Sequence, residues 1–221
     1  MRTLPFEIVN VQRRSRLALP TALFVILIGG SLSSRDLFDE IYERSHKQNA
    51  ALKTLTASFT ETSASPLLAQ PLVEHGRVFV QRPSRVLLRY TDPSERTVLI
   101  DGDRMSVAWP AARVFTVTDV GAAQRRVQKY FIDSSPRELR GHFDITAREA
   151  ADRPNTYLVT MVPKRKQIQE GIVRLELWID RTALTLSAMR MTFPSGDTKL
   201  MTFTDVTMNA TIDPAMFTVK R

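Results

Sequence analysis

The side chains able to do acid–base, nucleophilic or metal chemistry are few in this 221-residue chain, and their spacing does not favour it. There are three histidines, His46, His75 and His142, and no cysteine. Without cysteine there is no thiolate nucleophile, no disulfide framework, no iron–sulfur cluster and no zinc site built on sulfur. The histidines stand in no metal-ligand spacing such as i, i+4, so each reads as a surface or loop residue. No G-x-S-x-G elbow, H-E-x-x-H helix, phosphate-cradling glycine loop or dinucleotide fingerprint occurs. Asp101, Asp103, Asp133 and Asp144 fall at turns and strand ends, where aspartate is common because its side chain bonds the local backbone. The expectation is no catalytic residue, no metal and no cofactor.

Charge offers a second kind of chemistry. Lys plus Arg number 31 against 23 for Asp plus Glu, a net charge of +8. Arg125-Arg126 and Lys164-Arg165-Lys166 can meet phosphate, but no aromatic residues alternate with them as a base-stacking platform requires. Nucleic acid is therefore not an expected partner. The clusters read either as solvated charge or as attraction to an anionic membrane face or lipid headgroup.

A third kind is shelter for apolar ligands. Val173, Leu175, Leu177 and Ile179 share one strand face, opposite Arg174, Glu176 and Trp178. Met189, Met191 and Phe193 share another, as do Met201 and Phe203. Methionine fills irregular gaps and adapts to ligands of varied shape. Each such residue fits a filled core, but together they suit a cavity for a hydrophobic ligand.

The elements that must position these residues follow from periodicity. At 43% hydrophobic and 24% charged, the composition is that of an ordinary globular protein. Ahead of it, Arg2, Arg13, Arg14 and Arg16 precede a mainly apolar twelve-residue stretch at 17–28, followed by small residues to Ser34. That layout predicts a secretory signal over 1–34. Twelve helical residues rise only about 18 Å, short of the roughly 30 Å hydrocarbon core. With no cysteine at its exit, a lipid anchor is not expected. Four arginines and Glu7 give the segment +3, which leaves the remaining chain at +5.

Residues 36–52 then read as an amphipathic helix with Leu37, Phe38, Ile41, Tyr42 and Leu52 on one side, capped by Ser33 or Ser34. At Thr54 the period changes to two. Leu55, Ala57 and Phe59 alternate with threonine and serine, a half-buried strand over 54–62. Further strands are expected at 76–82, 84–91, 96–101, 103–109, 113–118, 142–149, 156–163, 171–180, 184–193 and 198–208. Eleven short strands with few helices between them mean a mainly β, antiparallel protein. One helical pattern, 120–132, interrupts them.

Three stretches, in order, resemble the LolA family of periplasmic lipoprotein carriers. The first is Leu55-Thr56-Ala57-Ser58-Phe59-Thr60-Glu61-Thr62, similar to the family's opening strand after its N-terminal helix. In the second, Gly76 to Val80 leads to Arg82-Pro83, Leu88-Arg89-Tyr90-Thr91-Asp92-Pro93, Asp101-Gly102 and Trp109-Pro110. The third is Phe203-Thr204-Asp205-Val206, Asn209 and Ile212-Asp213-Pro214-Ala215-Met216-Phe217. Leu88 stands where the family usually has tryptophan.

The resemblance implies an incomplete antiparallel barrel of eleven strands, with helices over an apolar concave face. It also implies a periplasmic, monomeric carrier without catalysis. The partners would be acylated lipoprotein cargo, an inner-membrane lipoprotein-releasing transporter and an outer-membrane receptor. Leu88, Tyr90, Met105 and Trp109 would join the second-half set (Val173, Leu175, Leu177, Ile179, Met189, Met191, Met201 and Phe203) in lining the ligand site. The first helix and 120–132 are the lid candidates. Arg82 would either hydrogen-bond lid carbonyls or serve as a plain edge-strand charge. A carrier of glycolipid or another envelope lipid, and an enzyme on a lipid substrate, are the other readings.

Overall fold

Residues 36–127 and 134–219 are described by a computed structural model, so the export segment expected at 1–34 lies outside the described residues. Eleven strands form: β1 (Thr54–Ala64), β2 (Leu72–Gln81), β3 (Arg85–Asp92), β4 (Arg96–Asp101), β5 (Arg104–Trp109), β6 (Val114–Asp119), β7 (Phe143–Glu149), β8 (Thr156–Pro163), β9 (Arg174–Asp180), β10 (Leu186–Thr192) and β11 (Thr198–Met208). They make one sheet in the order β6-β5-β4-β3-β2-β1-β11-β10-β9-β8-β7, every pair antiparallel. Sequence neighbours lie side by side except at the centre, where β1 pairs with β11 and joins the two halves. β6 and β7 are its edges among the described residues, so the sheet stays open, the incomplete barrel that the family resemblance implied.

Because side chains alternate along each strand, the register sorts the apolar residues onto two faces. Ala57, Phe59, Val78, Tyr90 and Met201 cluster on the inner face. Met189 also packs against the inner-face cluster of Val159, Met161, Leu175 and Phe143, so the two clusters are continuous. The outer face carries Phe79, Leu87 and Leu99. Ile212 and a 3-10 helix (Pro214–Phe217) cover them, with Arg89 donating to the Met216 carbonyl at 3.1 Å. Further along the outer face, Trp178 lies between Arg153 and Arg190, each 5.2 Å from the ring, and its indole N–H bonds Asp152.

β2 starts four residues before the expected 76. Leu72 and Val73 pair with β1 yet keep their side chains largely exposed, so the alternation that marks a half-buried strand is missing there. Gly76 is required by packing: a Cβ at this position would lie 2.6 Å from the Phe59 ring and 2.2 Å from the Arg89 carbonyl oxygen.

The helices are short. α1 (Leu37–Asn49) ends three residues before the expected 52; beyond it the Lys53 N–H donates to the Asn209 side-chain oxygen at 2.8 Å as the chain enters β1. Its N-cap is Asp36, which accepts from Phe38 N–H at 2.9 Å, in place of the expected serines. That bond, helped by Arg140, holds the Asp36 carboxyl below the usual range. The pattern at 120–132 forms α2 (Gly121–Val127), and 128–133 lie outside the described residues. α3 (Pro136–His142) and α4 (Lys166–Gln169) were not expected. α3 is set by a capping box, in which Ser135 and Glu138 bond each other's backbone N–H, with Pro136 at its first turn. The Lys164-Arg165-Lys166 cluster opens α4, whose Ile168 is buried.

Candidate functional site

Between α1 and the inner face of β8 and β9 lies a cavity of about 400 Å³. Phe38, Ile41 and Tyr42 of α1 roof it, Val159, Met161, Leu177 and Ile179 form its floor, and Leu139 of α3 closes one side. Arg82, from the β2–β3 turn, stands at its rim with Asn49. The walls are mainly hydrocarbon, and the volume is that of a small-ligand pocket. Ser45, His46, Asn49 and Arg82 are the polar members of the lining, and the buried Ser45 hydroxyl has no hydrogen-bond partner among the described residues.

Polar contacts hold the roof at both ends. Arg140 of α3 pairs with Asp36 at 2.8 Å and Asp39 at 2.5 Å while lying 5.0 Å from the Phe38 ring centre. Tyr42 donates its hydroxyl to the Ser134 carbonyl at 2.9 Å. Towards the other end, Arg44 donates to the Arg181 carbonyl and Gln48 to that of Ala183. The Arg82 guanidinium reaches the Asn49 carbonyl at 3.5 Å, the outer limit of a hydrogen bond.

Of the residues anticipated for ligand binding, Leu177 and Ile179 are cavity walls. Leu175 is buried in the packed cluster alongside, with Met189 and Met191 packed against it. Val173 precedes β9, its N–H bonded to the Thr192 carbonyl. Leu88, Tyr90, Met201 and Phe203 belong to the second inner-face cluster, around β1. Met105 and Trp109 lie on β5, opposite Ile100 and Val114, away from the cavity walls. Sequence reasoning did not assign Phe38, Ile41, Tyr42, Leu139, Val159 and Met161 to the site. The α1 residues were visible as an apolar helix face, and β8 as the apolar run 157–162. Leu139 gave no signal, being one leucine among charged neighbours.

The inner face is broken at its far end by a buried polar group. Glu61, 1% exposed, accepts from Tyr90 Oη at 2.9 Å and pairs with Lys199 at 2.6 Å. Its cross-strand neighbour Glu74 is also buried and pairs with Arg96 at 3.1 Å. The Arg96 guanidinium lies 3.9 Å from the Tyr90 ring centre, and Phe59 meets the same ring edge-on at 5.0 Å. Burial, then the Glu61 charge, pushes the Tyr90 hydroxyl from 10.0 up to about 12.

This raised value has a measurable consequence. The folded state keeps its phenolic proton where the unfolded chain has lost it, so the Tyr90 contribution is complete below pH 10 and is lost as pH climbs towards 12. About 2 kcal/mol of stability, after discounting for solvent screening, is expected to go over that window. Guanidinium unfolding at stepped pH should show a shallower decline in Tyr90→Phe than in the parent, and identical slopes would remove Tyr90 as the source.

A family model described as outer membrane lipoprotein carrier protein LolA matches residues 50–220. An outer-membrane lipoprotein carrier protein of Pseudomonas syringae pv. syringae (strain B728a) is 24% identical over 207 residues, 93% of each chain. Among solved structures, an uncharacterized conserved protein from Thermus thermophilus aligns with a TM-score of 0.51 at 9% identity, over 80% of this chain and 90% of that one. The Mycobacterium tuberculosis lipoprotein LppX aligns with a TM-score of 0.50 at 12% identity, over 79% and 96%. These two likenesses show a shared fold.

Proposed function

Because this chain belongs to the LolA family of outer membrane lipoprotein carrier proteins, we propose that its cavity shelters the acyl chains of lipoproteins carried through the periplasm from inner to outer membrane. The observation that carries this reading is the apolar space of about 400 Å³ beneath α1. Each buried methylene is worth about 0.8 kcal/mol, so multi-acylated cargo does not cross water unsheltered. The chain acts as a binding protein without catalysis. An inner-membrane releasing transporter would load it and an outer-membrane receptor would unload it, and residues 1–34 would be the signal that exports it.

α1 is the lid of this proposal. Its roof residues Phe38 and Ile41 are buried against Leu139, Val159 and Met161, and polar contacts through Arg140, Tyr42, Gln48 and the long Arg82 contact fasten it at both ends. Cargo that displaces α1 spends part of its binding energy on breaking those contacts, which keeps loading reversible. The unpartnered Ser45 hydroxyl is placed to serve an ester carbonyl of the bound lipid.

Mass spectrometry of the protein purified from its native periplasm is the test. Acylated N-terminal peptides bound to it are the expected result. A glycolipid or other envelope lipid in their place would move the assignment to that cargo on the same fold, and a lipid product accumulating from added substrate would overturn the carrier reading.

A further inference from the structure

The hairpin tip between β1 and β2 carries aliphatic side chains that the core does not use. Leu67 is 93% exposed and Leu68 51%, and Leu72 and Val73 beside them are also exposed. Between Glu61 and Glu74 the chain has no charged residue, a stretch of twelve that includes three leucines, a valine and two prolines. The tip has a formed turn: Ser65 accepts from Leu68 N–H at its carbonyl, at 3.0 Å, and from Leu67 N–H at its hydroxyl, at 3.3 Å. Pro66 lies against the β10–β11 turn, 3.5 Å from where a Cβ on Gly196 would stand. Leu68 overhangs a depression of about 410 Å³ floored by Ala64, Phe193 and Lys199. β1 runs from Thr54, close after α1, out to Ala64, so this patch stands at the end of the strand away from the cavity.

A single exposed leucine needs no explanation, whereas several on one uncharged tip do. Anchor residues of protein interfaces are enriched in Trp, Tyr and Arg and poor in Leu and Val. The tip has the opposite composition. The aliphatic groups of 66–73 carry no charge of their own and suit the boundary between lipid headgroups and acyl chains. Asp197, hydrogen-bonded by Ser65, and Lys199 stand at the base of the tip, at headgroup depth. The surrounding chain, at +5 outside 1–34, is attracted to an anionic leaflet. We propose that the 65–73 tip inserts shallowly into a lipid bilayer and docks the protein on the membrane surface. The contact is small enough to release, and it does not depend on what occupies the cavity.

A tryptophan placed in the tip reads this directly in the full chain. On adding vesicles of phosphatidylethanolamine and phosphatidylglycerol, Leu67→Trp is expected to show a blue shift that the parent, whose own tryptophans are Trp109 and the buried Trp178, does not show. Brominated acyl chains in the same vesicles are expected to quench it. Adding Leu68→Asp to that variant is expected to weaken the quenching titration about tenfold or more. Ala111→Trp, on the β5–β6 turn, is the control and should stay unquenched. No quenching at position 67, or equal quenching at 67 and 111, would overturn the proposal, and the first of these would return the tip to a protein partner.

Discussion

Lys199→Met is expected to lower the unfolding free energy by about 3 kcal/mol, and adding Glu61→Leu to the same chain is expected to restore about half of it. Glu61 is 1% exposed and its charge is met by Lys199 at 2.6 Å and by the Tyr90 hydroxyl at 2.9 Å. Removing the lysine leaves a buried carboxylate with no cation on it, whereas removing both charges leaves an apolar pair that matches Phe59 and Met201 on the same face. The recovery is incomplete because the Tyr90 hydroxyl then lacks its acceptor, a deficit of about 1–2 kcal/mol. Denaturant unfolding of parent, both single variants and the double variant gives the coupling energy. If the double variant is less stable than Lys199→Met alone, the ion pair is not the stabilising element and the face tolerates an unpaired charge.

The same cluster shows where sequence reading stops. Leu55, Ala57 and Phe59 put Glu61 on the apolar face by parity alone, and nothing in the order of residues says that Lys199, Tyr90, Arg96 and Glu74 gather around it. Where apolar and polar side chains alternate the strand was plain, as in β9 with Leu175, Leu177 and Ile179 opposite Arg174 and Glu176, although Trp178 on that second face is buried too. The strand count followed from it. The open order of the sheet came from the family resemblance instead. α3 escaped notice because seven residues with one buried side chain, Leu139, make no period. Its signal was the local Ser135–Glu138 capping pair.

The cavity itself was legible only in part, for a physical reason. Parity tells which side chains face inward but not which of those remain uncovered once the helices dock. Leu175 and Leu177 are equivalent in the sequence, two steps apart on one face of β9. α1 and α3 dock through Arg140, and the void is left over Leu177 and Ile179, while Leu175 lies among Phe143, Met161 and Ile168. Met189, Met191 and Met201 marked the right sheet face but pack in the clusters beside the cavity, and the methionine on its wall is Met161, which the sequence reading had not assigned.

Leu175 and Leu177 should therefore respond oppositely to substitution. Leu175→Ala removes packed atoms from the filled cluster and is expected to cost about 3 kcal/mol of stability while leaving acyl-chain binding nearly unchanged. Leu177→Trp adds volume into empty space, so its folding stability is expected to match or exceed that of the parent. The indole occupies room an acyl chain would use. Displacing two methylenes forfeits about 1.6 kcal/mol, roughly a tenfold loss of affinity for a palmitoylated peptide. Thermal unfolding and titration with that peptide, run on both variants, test the pair together. If Leu177→Trp binds the peptide as tightly as the parent, the chains lie elsewhere on the inner face, and the half-buried cluster of Leu88, Val98 and Phe203 becomes the site to probe.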